Sequence, residues 1–308
     1  MSKILTVGTV AFDEIITPFG ETGKILGGSA SYISMAAQKI TKDVGIISVI
    51  GYDFPDVYLQ KFTNRKIDIS GIEKLQNEKT FYWKGKYHND LNKRDTLVTE
   101  VNALAHFNPK VPEKYKDAGF LMLGNLHPSI QLAVIEQMKK RPKLIALDTM
   151  NFWMDTAWDD LIKVLKKIDI LIINDEEARQ LSKDYSLVRA AKTIQKMGPK
   201  YLIIKKGEHG ALLFHEKNIF FAPALPLEDV FDPTGAGDTF AGGFIGRLAK
   251  LKDTGFEAMK SAVICGSNLA SFTVEKFGTE RLETLTENEI KNRLQDFIQL
   301  TQFEIELV

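Results

Sequence analysis

Six short apolar runs, at residues 4–10, 44–50, 120–123, 144–147, 168–173 and 201–204, constrain the fold of this chain more than any other feature. Each has strand length and is apolar at successive positions, as strands buried on both faces of a parallel sheet are. Between them, apolar residues recur at helical spacing: Ala30, Ile33, Ala37 and Ile40; Ile130, Val134 and Met138; Leu161, Val164 and Ile168. This alternation predicts an α/β fold with a doubly wound, mostly parallel sheet flanked by helices. Ligands of such sheets bind beyond the C-terminal ends of the strands.

Composition narrows the class of partner. The 308 residues, 44% hydrophobic, are enough for one large core spanning 1–308 plus a small appendage. Lys+Arg and Asp+Glu are 40 each, so no basic surplus points to nucleic acid. The one cysteine, Cys265, cannot form an internal disulfide, which fits a reducing compartment, and its small-residue helical surroundings read as packing. No apolar run has bilayer length, and residues 1–10 read as a core strand with no cleavable signal. The expectation is a cytoplasmic protein with no membrane partner.

Residues 78–108 break the alternation. Thr80-Phe-Tyr-Trp-Lys-Gly-Lys-Tyr87 and Thr96-Leu-Val-Thr-Glu-Val101 flank the polar stretch His88–Asp95 and predict antiparallel strands. With part of residues 11–26 they make a small β-sheet projecting from the core. A sheet of that size is marginal alone and needs the core, a ligand or a second subunit to cover it.

The chemistry concentrates in Asp232-Pro-Thr-Gly-Ala-Gly-Asp238, where an extended approach (residues 220–230) turns into an apolar helical run (239–251). The small residues Gly235, Ala236 and Gly237 let backbone N–H groups crowd around an anion, and the helix aims its positive end at the same point. Asp238 lies in that nest, an odd place for a carboxylate unless it removes a proton. An anion cradle beside a base is the minimum equipment for moving a phosphoryl group onto a hydroxyl. Asn174 and Glu177 follow another strand, so amide and carboxylate share one helix face, fit for a metal or for a capping box. No G-x-G-x-x-G follows the first strand and no G-x-x-x-x-G-K-[S/T] occurs, which excludes dinucleotide and P-loop sites.

Asp232–Asp238 resembles the C-terminal signature of the ribokinase-like carbohydrate kinases, the PfkB family. Gly27-Gly28 with the small-residue helix after it resembles the N-terminal signature. Asn174-Asp-Glu-Glu177 resembles the N-x-x-E motif, and Lys205-Lys-Gly207-Glu-His-Gly210 resembles the strand–turn element lining the nucleotide. The resemblance implies a ribokinase-like fold with the small sheet as a lid, a homodimer contact through that lid, and transfer of phosphate from ATP, with Mg2+, to a sugar, cyclitol or nucleoside hydroxyl. It implies Asp238 as general base, the Gly235-Ala236-Gly237 amides as anion hole, and Asn174, Lys205, Gly207, Gly210, Thr234, Asn268 and Ser271 around the nucleotide. Glu177 and Asn174 would serve the metal. Asp13, Gly27, Gly28 and Tyr32 would meet the acceptor, the glycines also forming the lid's hinge.

The chain departs from the family pattern in two places. Tyr32 stands where sugar-kinase relatives carry Asn, and Asp148-Thr-Met-Asn151-Phe-Trp153 lacks an Arg present in many relatives. With no assignable cationic clamp, the reading favours a neutral sugar or cyclitol. The competing reading, a nucleoside kinase, draws on Tyr32 and the aromatic residues Phe12, Phe81, Trp83 and Trp153.

Overall fold

The structure is a computed structural model, and it describes residues 2–302 and residue 304. Its main sheet has nine strands in the order Asn218–Ala222, Ala211–His215, Tyr201–Lys205, Ile170–Asn174, Leu144–Asp148, Phe120–Leu123, Ile4–Val7, Val44–Gly51 and Asp68–Leu75. Seven are parallel, and the first two close the edge antiparallel. Successive residues feed opposite cores: Ile170 and Ile172 pack into one, Leu171 and Ile173 into the other. That is the physical reason the runs are apolar without alternation.

From Ile4–Val7 the chain first builds outward through Val44–Gly51 and Asp68–Leu75. It then returns to the other side of Ile4–Val7 at Phe120–Leu123 and builds the opposite way. The order therefore reverses between these two central strands, and a crevice opens beyond their C-terminal ends. Five strands make the second, smaller sheet: Ala11–Thr17, Gly20–Glu21, Ile25–Gly27, Tyr82–Tyr87 and Arg94–Glu100. The predicted antiparallel pair is Tyr82–Tyr87 with Arg94–Glu100.

Three details differ from the sequence reading. The first apolar run, 4–10, forms a strand only over Ile4–Val7, and a separate strand of the small sheet, Ala11–Thr17, follows it, so Asp13 sits inside a strand. The extended approach to the cradle ends at Ala222, and irregular chain follows to Gly235. Asp68–Leu75 went unread because it is a half-buried edge strand carrying Asp68, Ser70, Glu73 and Lys74. Among the described residues no helix is long and apolar enough to cross a membrane.

Helix Ala236–Leu251 lies between helices Ser29–Ile40 and Phe256–Thr273 at glycine-permitted distances. A β-carbon on Gly242 would run into the Ile33 carbonyl and stand 2.8 Å from Ala36 Cβ, while one on Gly243 would stand 3.1 Å from the Cys265 carbonyl. Gly242→Ala should therefore destabilise the protein by about 1–3 kcal/mol, the usual penalty of overpacking. The clash is with backbone that cannot swing aside, and it outweighs the roughly 1 kcal/mol of helix propensity gained. Urea unfolding measures this, and an Ala variant as stable as the parent would show that the helices can separate without cost.

Candidate active site

Helix Ala236–Leu251 begins at Gly235, whose φ of 74° is left-handed backbone that a side chain would strain. A side chain there would also collide with the Tyr32 ring, which packs against this turn. The first intrahelical bond runs from Thr239 N–H to the Gly235 carbonyl at 2.8 Å, so the N–H groups of Gly237 and Asp238 precede any carbonyl they could use within the helix. Ala236 was expected to complete the cradle, but its N–H donates to the Pro233 carbonyl at 3.2 Å. Asp232, fully buried, pins the turn. It accepts from Thr234 N–H at 2.8 Å and from Gly278 N–H at 2.9 Å, fixing the cradle to the Phe277-Gly278 turn.

Around this helix start stand charges from four other elements. Lys205, at the end of its strand, places Nζ 3.5 Å from Asp148 Oδ1 and 2.9 Å from where a β-carbon on Gly237 would be. Burial works against the ammonium, yet Asp148, Glu177 and Asp238 together raise its pKa. Asp238 is itself raised to about 7, chiefly by burial and then by Asp148, with Lys205 pulling the other way. Glu177 is also raised to about 7 by burial, against the pull of Lys205. Asp13 completes the group from the small sheet. Its carboxylate occupies the space a Gly27 side chain would need, accepts from Gly28 N–H at 3.4 Å, and is raised to about 7, again mainly by burial. The Tyr32 hydroxyl is buried without a hydrogen-bond partner, within electrostatic range of Asp13 and Asp238.

Asn174 and Glu177 form a capping box: Glu177 N–H donates to Asn174 Oδ1 and Asn174 N–H to Glu177 Oε2, both at 2.7 Å. The amide oxygen of Asn174 is thus engaged in the helix cap rather than offered to a metal. Thr234 donates its hydroxyl to the Tyr87 hydroxyl of the small sheet at 3.1 Å, so that group faces the sheet in place of a phosphate. Gly207 lies under the tip of the small sheet, 2.6 Å from Asn92 Oδ1 measured from an added β-carbon, and Gly210 turns tightly against the Ala222 carbonyl.

Asn268 and Ser271, expected beside the nucleotide, are turned into helix packing. Asn268 is fully buried and donates to the Ile290 carbonyl at 3.0 Å, and Ser271 donates to the Asn268 carbonyl at 2.7 Å. The aromatic residues are largely engaged too: Phe12 packs on Phe54 and Tyr58, and Trp153 donates to Asn125 Oδ1. Sequence reasoning missed Asp148 as a partner of Lys205. It also missed Arg94, whose charge lowers the pKa of Asp13, Glu177 and Asp238 from the small sheet.

A helix N-terminus suited to an anion, a partly buried ammonium and a carboxylate near neutrality are the parts that phosphoryl transfer calls for. The profile of the pfkB family carbohydrate kinases matches residues 2–285, and the chain belongs to that family. It is a phosphotransferase with an alcohol group as acceptor. The cytidine kinase of Thermococcus kodakarensis is 31% identical over 248 residues, covering 80% of this chain and 88% of that protein. The Methanocaldococcus jannaschii nucleoside kinase structure, an archaeal member of the ribokinase family, superposes with a TM-score of 0.78 at 22% identity, covering 96% and 99% of the two chains. The Salmonella enterica aminoimidazole riboside kinase, complexed with aminoimidazole riboside and an ATP analogue, gives 0.73 at 20% identity over 96% and 99%. The fold is thus ribokinase-like.

Because the folded-state pKa of Asp238 lies above that of an unfolded chain, folding takes up a proton between about pH 4 and pH 7. The stability held by the protonated form is lost as pH rises through about 7. Asp238→Asn should therefore melt higher than the parent at pH 8, by about 2–4 °C for each kcal/mol relieved, with the gap closing near pH 4. Thermal melts at the two pH values measure this. An equal Tm at pH 8 would mean that the carboxylate is ionised in the fold without cost.

Proposed function

We propose that this phosphotransferase moves the γ-phosphoryl group of ATP to a hydroxyl of a nucleoside, with Asp238 as the general base. The observation that carries the reading is the carboxylate of Asp238 at the mouth of a helix N-terminus, near neutral pKa and beside the Lys205 ammonium. A group titrating near 7 is ionised often enough to accept a proton and basic enough to take one from an alcohol as the bond to phosphorus forms. The Gly235 and Gly237 amides would hold charge on the phosphoryl oxygens, and Lys205 would add a fixed cation that needs no reorganisation.

Asp13 and the partnerless Tyr32 hydroxyl, close enough to interact electrostatically, would offer acceptor hydroxyls an acceptor and a donor. Mg2+, when bound with the nucleotide, supplies charge neutralisation at the phosphates. Among the described residues no group of three or more His, Cys, Asp or Glu side chains is placed to hold a metal ion. Glu177 is the side chain suited to it, since its Oε1 is outside the capping box. The small sheet would act as a lid, its Tyr87 already seated on the cradle turn.

The nucleoside assignment is supported by the cytidine kinase similarity, and it departs from the neutral sugar or cyclitol favoured by sequence alone. The sugar or cyclitol reading keeps one observation in its favour: Phe12, Tyr32 and Trp83 are packed on protein or, for Trp83, faced by Arg94, rather than presented to a base.

A panel of nucleosides, ribose and inositols, assayed with ATP and Mg2+, should give the highest kcat/KM with a nucleoside. Its acid limb should fall away below about pH 7. Asp238→Asn should lower kcat by about 10²-fold or more while ATP affinity is kept. Preference for a free sugar or cyclitol would replace the acceptor assignment, and a near-parental kcat in the variant would remove Asp238 from the chemistry.

A further inference from the structure

The small sheet carries a built platform for one cation. Tyr87 and Arg94 are directly opposed across the antiparallel pair, so their side chains leave the same face. Tyr87 meets Thr234 of the cradle turn at 3.1 Å, which turns that face toward the helix N-terminus. Trp83 also lies on it. Gly85, two residues on, has no side chain, and the indole lies across the space one would fill. The indole N–H is anchored on Thr96 Oγ1 at 3.2 Å. The Arg94 guanidinium stands 5.5 Å from the centre of that ring, within cation–π range. The hairpin tip beyond it abuts the Gly207 turn through Asn92. Arg94 is exposed at the rim, and its charge is felt by Asp13, Glu177 and Asp238, which belong to three separate elements.

We propose that Arg94 is a catalytic residue of this phosphotransferase, its guanidinium held on the Trp83 indole to take the oxygens of the phosphoryl group in transfer, with Trp83 and Gly85 as positioning residues. This rests on the reading of Asp238 as the base. In the step, the acceptor oxygen bonds to phosphorus as the bond from phosphorus to the ADP oxygen breaks. The hydroxyl proton passes to Asp238, and negative charge remains on the phosphoryl oxygens and the departing ADP. Lys205 meets that charge from the core side. Arg94 meets it from the small sheet, so the second cation arrives only when the sheet lies on the cradle. Transfer to water in an open site would lack it.

Arg94→Met, Arg94→Lys and Trp83→Leu should be compared with the parent on the best acceptor of the panel. Arg94→Met should lower kcat by about 10²–10³-fold, with KM for ATP and acceptor within about threefold. Added guanidinium ion should restore part of the rate. Arg94→Lys should stay nearer Met than Arg, because an ammonium cannot make the bidentate contact. Trp83→Leu should lose about tenfold in kcat. Calorimetry with ADP–Mg–aluminium fluoride, a planar mimic of the phosphoryl group, provides an arm independent of the acceptor. The parent should bind it more tightly than ADP, and Arg94→Met should lose at least tenfold of that gain. A kcat for Arg94→Met within threefold of the parent, an effect confined to acceptor KM, or an undiminished gain for the mimic would each overturn the proposal. Loss of activity in Arg94→Met alongside a fully active Asp238→Asn would instead fault the base assignment beneath it.

Discussion

The partly buried ammonium of Lys205 holds this site together. Asp148, Glu177 and Asp238 converge on it from the end of one strand and the starts of two helices, Asp148 and Glu177 being buried and Asp238 half-buried. Burying carboxylates without a partner is costly enough that they protonate instead. Lys205 draws Glu177 and Asp238 part of the way back, which leaves both near neutrality. The site is a balance between desolvation and nearby cations, Lys205 foremost and Arg94 after it, and that balance holds both carboxylates near neutrality.

The rest of the fold holds the members of that balance in place. Gly242 and Gly243 let the cradle helix lie against both neighbours, so the helix starting after Gly28 and the one starting after Gly235 cannot drift apart. Gly27 does the same for the small sheet, since the Asp13 carboxylate fills the volume its side chain would need. Asp232 is the fastener of the turn. Both of its oxygens are taken by backbone amides, and its place beside the cradle is structural.

The doubly wound sheet was legible because strands buried on both faces must be apolar at every position, as residues 170–173 are. The cradle was legible because only small residues permit the backbone of 235–237. The hairpin pair around Gly207 and Gly210 was legible for the same reason. What failed was reading by chain neighbourhood. Asn268 and Ser271 sit in a small-residue helix that looks like a ligand wall, yet their side chains bind the carbonyls of Ile290 and Asn268. Arg94 lies in a polar run that reads as solvated turn, and only the pairing of Tyr87 with Arg94 turns it toward the cradle. Asp148 and Lys205 are 57 positions apart, and nothing local announces that the ends of two strands flanking Ile170–Asn174 bring them to 3.5 Å.

The account rests on burial and Lys205 jointly setting the ionisation of Asp238, and carboxyl-carbon NMR reads that directly. Aspartate labelled at the side-chain carboxyl, assigned by the loss of one signal in Asp238→Asn, should show Asp238 titrating near pH 7. In Lys205→Met the midpoint should move higher, because the cation that favours the carboxylate is gone. A midpoint near 4, unmoved by the loss of Lys205, would contradict the account.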